Sequence, residues 1–199
     1  MPVLNLHPDV KAALAKHIEH AVDRIDPKRY RQEPQYMTAL LGKLDATVYD
    51  GPHGYLELRA TSVDDRGPAS AESISGADFA ITAYVGTGMS QLKKAVLGQA
   101  KRGSVESLKP SETSRLAGQV AKLRERTKHF VVFETPQARG ETVGVRRSMP
   151  ANPIRLHAPQ TLEDYLEQLV RCSHGDRRQV FVEAVQDASL PELSVSFRR

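Results

Sequence analysis

Apolar residues in the first segment recur at helical steps. Val10, Leu14, Ile18, Val22 and Ile25 fall three or four apart, so residues 8–25 are predicted to form an amphipathic helix with one apolar stripe. Pro8 suits a first helical position, and Asp26-Pro27 ends the run. A second stripe, Met37, Leu40, Leu41 and Leu44, predicts a helix from near Pro34 to about Val48, broken at Asp50-Gly51-Pro52. Glu33 lies four residues before Met37 and seven before Leu40, which places it above this stripe rather than on the solvent side.

The period then changes. Residues 54–63 (GYLELRATSV) alternate as a strand does. After a turn-rich link, residues 78–85 (DFAITAYV) are rich in strand formers, and residues 94–101 (KAVLGQAK) form a short apolar run with a polar end. The next helix is predicted with Ser111 as its N-cap and Leu116, Val120 and Leu123 as its apolar face. HFVVFETP follows, an unbroken apolar run that suits an inner strand beside a crossover helix. Strand, helix and strand in this order predict a parallel pair with a right-handed crossover. Residues 137–160 read as irregular, with IRLHA as a short strand. TLEDYLEQLVRC reads as a helix opened by Thr161, and PELSVSF as an edge strand. The elements make an α/β fold, with helices on both sides of a central mixed sheet.

Composition narrows the class. The chain has 199 residues, the size of one domain, and its 40% hydrophobic and 26% charged content is ordinary for a globular protein. No apolar run reaches the roughly 18 residues of a membrane span. The first 25 residues carry charges throughout, unlike a signal peptide. Cys172 is the one cysteine, so an intrachain disulfide is excluded and a reducing, cytoplasmic location is expected. The net charge of +4 is concentrated in Lys93 to Arg102 and Arg115 to Lys128.

Strand alternation puts Gln99 and Lys101 on one face and Val96, Gly98 and Ala100 on the other. A lysine and an amide at the end of an apolar strand are costly unless an anion, a metal or water meets them. Asp78 opens the neighbouring run, and adjacent strands would bring its carboxylate to both. Carboxylate and amide oxygens suit Mg²⁺, which polarises a phosphodiester and acidifies a bound water. An ammonium beside them can orient that water or stabilise developing negative charge.

Other features carry weaker signals. His17 and His20 are three apart on a helix but have no evident third ligand, and Cys172 with His174 has no partner motif. Neither a P-loop nor GxGxxG is present. Arg115, Lys122 and Arg126 share one side of their helix, either a solvated face or a surface for phosphates. Arg102 follows Lys101 directly, and Arg146 and Arg147 are expected in a loop that could track a nucleic-acid backbone.

GADF followed by QAK, with Asp78 and Gln99 21 residues apart, resembles the PD-(D/E)xK nuclease superfamily. QAKRG before a helix and FVVFETP is most similar to Mrr-type restriction endonucleases, prokaryotic defence nucleases in which glutamine often replaces glutamate. The resemblance covers about residues 30–136 of a single domain, 1–199. It implies a restriction-endonuclease-like αβββαβ core, with the N-terminal helix 8–25 and the segment 161–199 as additions. It implies Asp78, Gln99, the Ala100 carbonyl and Glu72 as ligands of Mg²⁺ (or Mn²⁺). Lys101 corresponds to the family's lysine, and Glu33 to a glutamate that some members place on the first core helix. Gln119 lies where a glutamine is common, and Arg102, Arg115, Gln119, Lys122 and Arg126 are the expected nucleic-acid contacts. The activity implied is endonucleolytic hydrolysis of DNA in restriction or anti-phage defence, with a homodimer or a partner protein supplying recognition or activation. Because Gln99 is neutral, a second expectation stands beside it: a nuclease-like fold without activity that serves as a nucleic-acid-binding or assembly module.

Overall fold

The computed structural model describes residues 5–30, 32–62, 75–87, 91–149, 155–171 and 174–199. Helix α1 spans Pro8–Asp23 and buries Val10, Leu14, Ile18, Ala21 and Val22, the expected stripe. Helix α2 spans Glu33–Leu44 and ends earlier than its stripe suggests. Asp45 turns extended, and Ala46–Gly51 forms strand β1 in place of the helix predicted to Val48. Thr47, Val48 and Tyr49 are β-branched or aromatic; Thr47 and Tyr49 pair with strand β2, Gly54–Thr61, in a hairpin whose register shifts at Val48.

Strands β3 (Phe79–Val85) and β4 (Leu92–Arg102) follow. Helix α3 (Pro110–Arg126) leads to β5 (Phe130–Thr135). Lys109, not Ser111, is its N-cap: Pro110 takes the first turn, where its missing N–H costs nothing. Then come β6 (Gly144–Arg147), β7 (Gln160–Thr161), α4 (Leu162–Val170), α5 (Gln179–Gln186) and β8 (Glu192–Arg198). Thr161 caps α4 as expected, its hydroxyl accepting from the Asp164 amide.

The eight strands form one mixed sheet in the order β1-β2-β8-β3-β4-β5-β6-β7. β4 and β5 are parallel, as the intervening helix requires. Two placements differ from expectation. Four strands, not three, stand between α2 and α3. PELSVSF is not an edge strand: β8 lies inside the sheet, antiparallel to β2 and parallel to β3. Its alternation reports only that Leu193, Val195 and Phe197 face a core, and faces say nothing about lateral neighbours.

One face of the sheet packs on α1, α2 and α4 through Phe79, Ile81, Val96, Ala100, Val131 and Phe133. The other packs on α3 and α5 through Ala80, Ala95, Leu97, Phe130 and Val132. Helix α5 lies in a stretch that the sequence left unassigned, and it buries Val182 and Val185. β6 corrects the irregular reading of residues 137–160 and the loop placement of Arg146 and Arg147. Arg146 is buried and ion-paired, so it is not free to track a backbone. Of IRLHA, the described residues contribute only an isolated bridge, Leu156 to Ser148. No helix among the described residues is long and apolar enough to cross a membrane.

Candidate active site

The backbone amide of Asp78 donates to the Gly98 carbonyl at 2.8 Å. Gly98 is also the ladder partner of Phe79, so Asp78 and Phe79 both meet Gly98 and the regular pairing ends there, which leaves the Asp78 side chain beside Gln99 and Ala100. Asp78 Oδ2 accepts the Ala100 N–H at 2.8 Å and is also bonded by Gln99 Nε2. Gln99 and Lys101 are 1% and 3% exposed near the C-terminal end of β4. They share the α3 side of β4 with Ala95 and Leu97, while Val96 and Ala100 face the opposite core. Strand alternation anticipated this division.

Two glycines shape the site. A Cβ on Gly98 would lie 2.2 Å from Phe79 Cζ, so the bare glycine is what lets β3 and β4 meet in this register. Gly76 has φ +74°, and a Cβ there would lie 2.7 Å from the Gln119 carbonyl and 3.1 Å from Lys122 Cβ. Helix α3 thus rests on the turn that leads into Asp78. Gln119 and Lys122 sit over that turn, on one helical stripe with Arg115 and Arg126. Arg115, Lys122 and Arg126 are exposed, as either reading of the basic face requires.

Gln99 Oε1 is buried and has no hydrogen-bond partner. Such an orphan costs about 1–3 kcal/mol unless something meets it. A carboxylate, this amide oxygen and the Ala100 carbonyl make a set of hard oxygen donors, and they fit a divalent cation such as Mg²⁺. Asp78 brings one negative charge to the set and Gln99 brings none. Of the residues expected to supply more, Glu72 lies outside the described residues. Glu33 heads α2, on the opposite face of the sheet, and makes no hydrogen bond or ion pair with Asp78, Gln99 or Lys101 among the described residues.

Glu134 was not anticipated. It stands level with Lys101 in the parallel β4–β5 register. It accepts the Val105 N–H and Arg146 Nε, each at 2.7 Å, and Arg146 Nη2 reaches Glu106 at 3.0 Å. The signal was an acid closing the apolar run FVVF beside the lysine strand. Arg102, half-buried, donates to the Tyr30 carbonyl at 3.4 Å. His17 Nε2 lies 3.0 Å from the Leu44 carbonyl at the end of α2, a structural contact. His174 is buried with Nδ1 3.2 Å from the Tyr165 hydroxyl, and Cys172 lies outside the described residues.

Comparison with protein-family models, with curated proteins and with solved structures finds no match to this chain.

Proposed function

We propose that the chain is a metal-dependent endonuclease that hydrolyses DNA phosphodiester bonds, a PD-(D/E)xK nuclease of the Mrr type acting in restriction or anti-phage defence. The observation that carries the reading is the convergence of Asp78 with Gln99, beside Lys101 on the same face of β4, around a buried amide oxygen without a partner. Asp78, Gln99 Oε1 and the Ala100 carbonyl would hold Mg²⁺ or Mn²⁺, with Glu72 as a further acid. The ion would supply Lewis-acid polarisation of the scissile phosphate and a more acidic bound water. Lys101, almost fully buried, keeps its ammonium within this strand end, where it orients the attacking water or stabilises charge on the phosphate. Arg115, Lys122 and Arg126 form an exposed basic stripe next to the Asp78 turn, suited to duplex phosphates. Recognition of a target falls to a homodimer or to a partner protein in a cytoplasmic setting.

The test is plasmid cleavage with Mg²⁺ or Mn²⁺ by wild type, Asp78→Ala and Lys101→Ala. Cleavage lost in both variants supports the site, and cleavage that survives both sinks it. One observation favours a second reading. Gln99 Nε2 donates to Asp78, a pairing that satisfies the carboxylate without an ion. An inactive nuclease-like module predicts salt-sensitive DNA binding by wild type with no cleavage at any divalent concentration.

A further inference from the structure

His7, Asp9 and His53 come together away from the Asp78 site. His7 is the N-cap of α1, and its Nδ1 accepts from the Asp9 amide at 3.3 Å. His53 sits in the two-residue turn of the β1–β2 hairpin, closed by the Gly51–Gly54 pair. The two imidazoles stack, with centroids 3.4 Å apart and planes at 12°. Asp9 Oδ2 lies 3.4 Å from His7 Nδ1 and 3.3 Å from His53 Nε2. One ligand atom from each residue lies within 4.8 Å of the other two.

We propose that His7, Asp9 and His53 form a surface site for a first-row transition-metal cation, Zn²⁺ in the first instance, that clips the start of α1 to the β1–β2 turn. The spacing argues for it. Tetrahedral zinc with bonds of about 2.0–2.1 Å sets its ligand atoms about 3.3–3.4 Å apart, and both Asp–His separations have this value. Nδ1 of His7 accepts the Asp9 N–H, so a cation would take that lone pair over from the amide, while Asp9 Oδ2 already lies within reach of both imidazoles. The stacked rings present nearly parallel lone pairs, so binding requires the His53 ring to fan away from His7. Its place in a half-exposed turn leaves it free to do so. Two imidazoles and one carboxylate are a borderline-soft set, suited to Zn²⁺ or Ni²⁺ and poorly suited to Mg²⁺. The side chains are 36% (His7), 62% (Asp9) and 36% (His53) exposed, which gives the ion an entry path and leaves a fourth position for water.

The site is separate from the proposed active site. Register runs from the start of β2 through Arg198 and Phe197 to Val85, the far end of β3 from Asp78. The length of β3 alone puts roughly 20 Å between them. The inference therefore does not rest on nuclease activity.

The test uses full-length protein without an affinity tag, stripped with chelator and titrated with Zn²⁺ by calorimetry at neutral pH. Wild type is expected to take up one Zn²⁺ per chain and to gain a few degrees in melting temperature, while Mg²⁺ gives neither. His53→Ala, at a half-exposed turn position, and Asp9→Asn, at an exposed one, are each expected to weaken uptake by about tenfold or more and to lose the thermal gain. Histidine NMR on wild type supplies a readout that needs no variant: the ring signals of His7 and His53 shift together on adding Zn²⁺. Absence of uptake by wild type, uptake of equal affinity in His53→Ala, or zinc-induced shifts confined to other histidines would overturn the proposal. Each would leave the stack as a carboxylate-bridged histidine pair only.

Discussion

Phe79 and Gly98 face each other across β3 and β4 with the phenyl ring lying in the space where any side chain on residue 98 would stand. This contact fixes the register of two strands by shape alone. Asp78 directly precedes Phe79 and its amide bonds to the Gly98 carbonyl, so the candidate site takes its alignment from an apolar fit one residue away. A slip of one residue would turn Gln99 and Lys101 into the core that packs on α1 and α2.

Gly98→Ala is expected to lower stability by about 2 kcal/mol or more, since its methyl would overlap a fully buried ring. Phe79→Ala alone should also destabilise, through the cavity it leaves. The double variant should cost clearly less than the sum of the two, because removing the ring removes the clash. Urea unfolding of the three variants measures this, and strict additivity would mean that Gly98 matters for another reason.

Gln99→Glu replaces the amide that donates to Asp78 with a second carboxylate. In the absence of a divalent ion the two acids repel in a buried setting, and the cost is expected to be about 1–3 kcal/mol at neutral pH. Millimolar Mg²⁺ or Mn²⁺ should restore much of the loss, because the pair then resembles the acidic form of the motif. Wild type should gain less from the same ion. Melting curves with and without Mg²⁺ decide the point. An ion effect equal in both proteins would place the cation elsewhere.

The contact of Asp78 with Gln99, and the shared face of Gln99 and Lys101, were legible because they need only local rules, adjacency of one strand and alternation on the next. Other features needed long-range information. Leu44 and Val48 are four apart, a helical step, so β1 was hidden as a continuation of α2 until its pairing with β2 resolved it. The position of β8 depends on two ladders, to β2 and to β3, that join residues more than 100 apart in sequence. Arg146 looked like a cation for an external phosphate because sequence does not show an internal partner, here Glu134. Glu33 was placed correctly above its own helical stripe, but that spacing does not say which sheet face the helix covers.

The Glu134–Arg146 pair lies on the Lys101 side of the sheet with both side chains almost fully buried. Arg146→Met should cost about 3–5 kcal/mol, because it strands a buried carboxylate whose remaining described bond is the Val105 N–H. For a domain of this size that corresponds to a fall of roughly 10 °C in melting temperature. Adding Glu134→Gln to the same chain should recover much of the loss. If the single variant melts like wild type, the pair contributes little and Lys101 does not depend on it.

Acid should weaken the fold well before its carboxylates titrate. Burial, helped by the nearby charges of His129, Arg147 and Lys94, holds His174 down to about 3 from its ordinary 6.5. The unfolded chain therefore binds a proton below about pH 6.5 that the folded chain refuses until about pH 3. His129 is lowered in the same direction, again chiefly by burial. Stability is full above pH 6.5 and falls as pH drops through the window between these values, by up to about 1.4 kcal/mol per unit for His174, with His129 adding in the same direction. Asp176 adds a second, more acidic loss. Burial pushes its carboxyl up, but hydrogen bonds from Arg178 and Thr127 outweigh this and bring it down to about 2, so its contribution is present above 3.8 and lost below that. Urea midpoints measured from pH 8 to pH 4 should be flat at first and then decline from about 6.5. His174→Gln, which cannot take up the proton, should lower the plateau and flatten the slope between pH 6.5 and 4. A variant slope as steep as that of wild type would assign the acid sensitivity to another group.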